Sequence, residues 1–105
     1  IGVATTRSTL VTTGYLTAGE ISAARDRGAI GDVLSHFYSR EGDEIPTPWS
    51  DRMISVDLES LRKIDCLIGV AAGSDKAESV IGAVKSNILN TLVIDVALAE
   101  AILKV

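Results

Sequence analysis

From residue 66 onward the chain keeps one rhythm: "CLIGVAA", then "SDKAESVIGAVKS", then "TLVID", then "VALAEAILK". The first and third stretches are apolar throughout and too short for a helix, so they read as strands buried on both sides. The second carries Ala77, Val80, Ile81 and Val84 at helical spacing, an apolar stripe. Continuously apolar strands separated by helices define a parallel sheet with both faces covered. The pattern predicts adjacent parallel strands at 66–71 and 91–94, joined by a crossover helix over 74–86 whose connection is right-handed.

The first half of the chain is less regular. "IGVAT" reads as a short buried strand, and "TTRSTLVTTGYL" as an irregular loop rich in threonine. Thr17 followed three residues later by Glu20 forms a capping box, so a helix starts there, buries Ile21 and Ala24, and stops at Gly28. "HFYS" and "DEIPT" flank "REG" as a small hairpin, which Pro46 and Pro48 keep out of the centre of a sheet. "DRMISV" reads as a further strand centred on Met53 and Ile54. Asp57 then caps a short helix with Leu58 and Leu61 on one side. A strand beginning at residue 1 leads to the expectation that the chain is the C-terminal part of a larger α/β domain.

Composition narrows the function. Aromatic residues make up only 4% of the chain, so the core is built from Val, Ile, Leu and Ala. Cys66 is the only cysteine and lies in an apolar run, which predicts a buried thiol, no internal disulfide and a reducing, cytoplasmic setting. The single histidine, His36, has no partners at metal-ligand spacing and reads as structural; no metal or cofactor is implied. The net charge of −4, with Arg and Lys scattered among acids, offers no basic patch for nucleic acid or an anionic membrane. No stretch is long and apolar enough to cross a membrane as a helix.

Two segments carry candidate chemistry. Lys76 stands in the first turn of the predicted helix, where a cation opposes the helix dipole. An anion bound between the lysine and the helix end would reconcile the two, with Gly73 allowing close backbone approach and Ser74 supplying a hydroxyl or a cap. Alternatively, Asp75 and Glu78 offset the lysine locally and it is solvated; the residues alone leave the two evenly matched. In "GAIGD", Gly28 and Gly31 suggest tight backbone packing, and Asp32 either accepts from sugar hydroxyls or closes a turn. Asp95, after "TLVI", reads as an N-cap.

Taken in order, "GAIGD", then Asp51, Arg52, Ile54, Leu58, Leu61, Arg62 and Ile64, then Gly69, Val70, Ala71, Gly73, Lys76 and Ala77 resemble the effector-binding domain of SorC/DeoR-type bacterial sugar-responsive transcriptional regulators. The resemblance covers nearly all of residues 1–105 and corresponds to the C-terminal portion of that domain. It implies a Rossmann-like parallel-sheet fold of the glucosamine-6-phosphate deaminase/ribose-5-phosphate isomerase type with a small hairpin insertion. It also implies a sugar or sugar-phosphate effector, DNA contact only through an N-terminal domain outside these residues, and a homo-oligomeric full-length protein. It assigns Lys76 to the effector's phosphate, Asp32 to its hydroxyls and close backbone approach to Gly73; Gly31 and Ser74 complete the candidate effector-binding set. Ala72 replaces a glycine common in the family, and Ile94-Asp95-Val96 replaces its usual "TDE". The expected function is effector binding without catalysis; a sugar-phosphate isomerase or deaminase on the same fold is the alternative, and a plain assembly domain a third reading.

Overall fold

The computed structural model describes residues 1–105. β1 (Gly2–Val3) leads through a loop into α1 (Thr9–Thr12), whose N-cap Ser8 accepts from the Leu10 N–H. The segment expected to be irregular therefore contains a single helical turn, because the Ser8 hydroxyl supplies the cap that a threonine-rich stretch disguises. α2 (Ala18–Asp26) is held by the expected capping box: the Thr17 hydroxyl accepts from Glu20 N–H, and the Glu20 carboxylate accepts from Thr17 N–H. Gly28 ends it with φ +100°, a conformation that favours glycine.

β2 (Gly31–Val33) begins at the second glycine of "GAIGD" and pairs with both β1 and β3 (His36–Tyr38), all antiparallel. β1 thus belongs to a three-stranded antiparallel sheet. Val33 and His36 pair across a two-residue turn, Leu34-Ser35, in which both residues have positive φ (50° and 68°). Such turns ordinarily carry Asn or Gly, so nothing in the sequence announced this one. The expected hairpin around "REG" forms, closed by a bridge between Tyr38 and Glu44. "DRMISV" is not a strand. A 3₁₀ turn (Ser50–Arg52) precedes an extended segment that pairs with nothing, with Met53 against the core and Ile54 fully exposed.

α3 (Leu58–Arg62) follows its Asp57 cap and buries Leu58 and Leu61, as expected. β4 (Ile68–Ala71) and β5 (Thr91–Ile94) pair in parallel. Between them a 3₁₀ turn (Ser74–Lys76) leads into α4 (Ala77–Lys85), and α5 (Val96–Leu103) follows β5 behind the Asp95 cap. The predicted strand–helix–strand order holds. Two corrections concern burial. β4 starts at Ile68, leaving the Cys66 thiol exposed rather than buried. The sheet is covered on one face only: Ala71 is buried, whereas Ile68, Val70 and Val93 are more than half exposed.

α4 joins the two sheets. Ala77 and Val80 pack with Ala71 and Leu98 on the parallel side. On the other side Ser79, Gly82 and Ala83 are buried, whereas Val84, expected in the apolar stripe, is half exposed. Small residues displace it because α4 sits so close to β2 and β3. The Ser79 hydroxyl donates to the Ile30 carbonyl at 2.8 Å, and the buried Tyr38 hydroxyl donates to the Ser79 carbonyl at 2.7 Å. Burial pushes the Tyr38 phenol well above its ordinary pKa, with the Asp32 carboxylate adding to the effect. Phe37 meets Trp49 edge-to-face, ring centroids 5.6 Å apart, in the core under α2.

Gly82→Ala tests this packing. Helix propensity alone favours alanine by about 1 kcal/mol. A methyl group there, however, would lie 2.7 Å from the Ser39 carbonyl oxygen and 2.9 Å from the Tyr38 ring, and backbone cannot yield cheaply. We expect net destabilisation of about 1–3 kcal/mol in urea unfolding; a neutral or stabilised variant would refute the close seating.

Candidate functional site

A cleft of about 300 Å³ opens where β1, the residue 7–10 segment, the β2–β3 turn and the start of α4 meet. That volume lies at the lower edge of small-molecule sites. Arg7, Ser8, Thr9, Asp32, Ser35 and Lys76 supply its polar lining. Each element brings its residue for a local reason.

Asp32 lies at the centre of the antiparallel sheet, directly across from Gly2. A side chain on Gly2 would collide with the Asp32 carboxylate, so glycine at position 2 makes room for it. Asp32 accepts from the Ser35 N–H at 3.2 Å, so it also closes the turn. Burial pushes its carboxyl above the ordinary carboxylate range, partly offset by the Ser35 N–H and by nearby positive charge, Lys76 included.

Lys76 ends the 3₁₀ turn and stands at the N-cap of α4. The turn itself is fixed by Gly73 (φ +99°) and by Asp95, which accepts from the Gly73 N–H at 3.2 Å and from the Leu98 N–H at 2.9 Å. Asp95 is therefore the N-cap the sequence predicted and, in addition, a tie between the α4 and α5 ends. The acids that could neutralise Lys76 are engaged elsewhere: Asp75 pairs with Arg7 at 2.7 Å, and Glu78 with Arg40 at 3.8 Å. Lys76 has no carboxylate within ion-pair distance and lies half-buried in the cleft.

Of the five residues singled out from sequence, the fold brings Asp32 and Lys76 together in this cleft. It places the other three elsewhere. Gly31 is buried beneath α4, where a Cβ would come within 2.8 Å of the Gly2 carbonyl and 2.7 Å of the Ser79 Cβ. The Gly73 N–H is already taken by Asp95. Ser74 faces a separate groove with Thr5, Arg25 and Glu78, and makes no side-chain cap. Sequence reading missed Arg7, Ser8, Thr9 and Ser35. The hydroxyl-rich "TRST" after a glycine-containing strand was the available signal for the first three; the unusual turn concealed Ser35.

Comparisons with known proteins agree on the lineage. The sugar-binding domain family (Sugar-bind) matches residues 1–104, and the chain belongs to it. The transcriptional regulator LsrR of Enterobacter sp. (strain 638) is 30% identical over 97 residues, covering 91% of this chain. LsrR of Escherichia coli K12 is 37% identical over 79 residues, 74% of the chain. Among solved structures, a DeoR family transcriptional regulator from Listeria monocytogenes aligns over 96% of the chain and 41% of its own, with TM-score 0.88 and 28% identity. The full-length sorbitol operon regulator SorC from Klebsiella pneumoniae aligns over 80% of the chain and 26% of its own, with TM-score 0.73 and 30% identity. The chain spans 30% of the length of the Enterobacter LsrR and 25% of that of the E. coli protein.

The strained burial of Asp32 has a measurable signature. Because its pKa is raised on folding, the folded state binds the proton more tightly. Stability is then greatest below the ordinary carboxylate pKa and falls as pH rises through the window up to the raised value. Asp32→Asn removes the buried charge and keeps an acceptor for Ser35. Its thermal midpoint at pH 7 is expected to equal or exceed wild type, and the wild-type loss across that window to shrink. A clear fall in the midpoint at pH 7 would show that the carboxylate stabilises the fold.

Proposed function

We propose that this chain is the effector-binding module of a carbohydrate-responsive transcriptional regulator, and that the cleft takes a sugar or sugar phosphate. The observation that carries this reading is the unpaired, half-buried Lys76 facing the same cleft as Asp32. An ammonium engaged in no ion pair suits a phosphate, and a partly desolvated carboxylate suits sugar hydroxyls. Arg7, Ser8 and Thr9 provide further donors from the opposite wall. The names of the relatives, regulators with sugar-binding domains, point the same way.

The finer assignments belong to the same proposal: a Rossmann-like domain of the glucosamine-6-phosphate deaminase/ribose-5-phosphate isomerase type, residues 1–105 forming the C-terminal part of the effector domain. DNA is contacted by another domain of a cytoplasmic, homo-oligomeric regulator. The ligand would span the residue 7–10 segment, the β2–β3 turn and the start of α4. It would therefore favour whichever arrangement of these three it fits better, and a regulator responds to its effector through that differential affinity.

A second reading, a sugar-phosphate isomerase or deaminase, draws on the raised pKa of Asp32, a property of acid–base catalysts. Calorimetric titration with hexose and hexitol 6-phosphates and the matching free sugars, with turnover assayed alongside, separates the two. Lys76→Met is expected to weaken a phosphorylated ligand by one to two decades, about 1.5–3 kcal/mol, and to leave a free sugar nearly unchanged. Equal affinities in both proteins would remove Lys76 from the site. Turnover of any phosphate in the panel would favour the enzyme.

A further inference from the structure

His36 stands between two acceptors. Its Nδ1 lies 2.9 Å from Glu44 Oε1, and its Nε2 lies 2.8 Å from the Val56 carbonyl oxygen. A neutral imidazole has one N–H and can serve only one of them, leaving a lone pair opposed to an oxygen at the other; an imidazolium has two N–H groups and serves both. We infer that His36 is a proton-dependent clamp. With the ring protonated, the 53–56 segment is tied to the 36–44 hairpin; when the ring loses its proton, the one remaining N–H stays on the charged acceptor, Glu44, and the tie to Val56 opens.

The surroundings favour such a device. The ring is largely sheltered, with its side chain 13% exposed. Three acids lie near it: Glu44 from the hairpin, Asp57 from the start of α3, and Asp32 from β2; the nearest cations on those elements are Lys63 beside Asp57 and Lys76 beside Asp32. The segment it holds belongs to no sheet. Its other side-chain tie is the Ser55 hydroxyl, which donates to the Leu34 carbonyl at 2.9 Å. Met53, Ile54 and Ser55 form one wall of an apolar cavity of about 550 Å³ beneath Tyr15 and Trp49, and this cavity shares Leu10, Leu34 and Ser35 with the polar cleft. Releasing Val56 therefore frees a wall of that cavity and the brace on the turn that carries Ser35. The device depends on the hydrogen-bond count at His36, whatever the cleft binds.

The chain has one histidine and one tryptophan, so both signals are unambiguous. In ¹⁵N-labelled protein, both ring nitrogens should carry protons at the acidic end of a pH titration and only one at the alkaline end. The Val56 carbonyl resonance and Trp49 emission should change with the same midpoint. Glu44→Gln supplies the decisive arm. A glutamine amide can donate to a neutral Nδ1 while Nε2–H still donates to Val56, so a neutral ring keeps both ties. The variant should lose the pH dependence at Val56 and Trp49, although its ring still titrates. A Val56 resonance that stays fixed through the wild-type titration, or an unchanged transition in Glu44→Gln, would overturn the clamp.

Discussion

Everything else in this chain depends on how closely α4 is seated on the β2–β3 hairpin. Gly31 on the strand and Gly82 on the helix lack side chains where any would collide with the opposite element. Into the space they leave, Tyr38 lays its ring against Gly82 and donates its hydroxyl to the Ser79 carbonyl. Close packing of this kind tolerates little displacement. It fixes the start of α4, with Lys76, relative to the hairpin turn, with Asp32. The cleft is thus a by-product of a helix–sheet contact made within the first two turns after the lysine.

The electrostatics of the cleft follow from which charges are satisfied. Two arginines draw the acids beside Lys76 away: Arg7 holds Asp75, and Arg40 lies across from Glu78. Both pairs are exposed and contribute little stability. Their consequence is local, since neither acid is left to form an ion pair with the lysine. Asp32 is the complementary case, a carboxylate whose partial burial works against its ionisation. A positive and a negative group, each poorly satisfied by the protein itself, face one small cavity. Natural proteins retain such costs at binding sites and offset them in the surrounding core.

The same hairpin serves a second purpose. Leu34 and Ser35 adopt left-handed backbone conformations that are unfavourable for side chains of their kind. The turn is held by Asp32 on one side and Ser55 on the other. Its position links the polar cleft, the apolar cavity and the segment held by His36. A backbone kept in such a conformation persists only where the surroundings over-determine it, which is where functional sites concentrate.

The sequence by itself determined the second half of the fold. Apolar strands, a capped α3 and the strand–helix–strand order were legible because hydrophobic periodicity and capping chemistry are local. The capping box at Thr17 and Glu20 and the caps at Asp57 and Asp95 were legible for the same reason. Asp32 and Lys76 could be singled out from their local settings and from family resemblance. Only the tertiary structure decided that they share a cleft, that Gly31, Gly73 and Ser74 do other work, and that Arg7, Ser8, Thr9 and Ser35 join them. β2 was hidden in a glycine-rich stretch, and its turn lacks the residues such turns usually carry. "DRMISV" carried a strand's composition but found no partner strand. Pairing, burial and the engagement of Asp75 and Glu78 by distant arginines are non-local, and no window of sequence contains them.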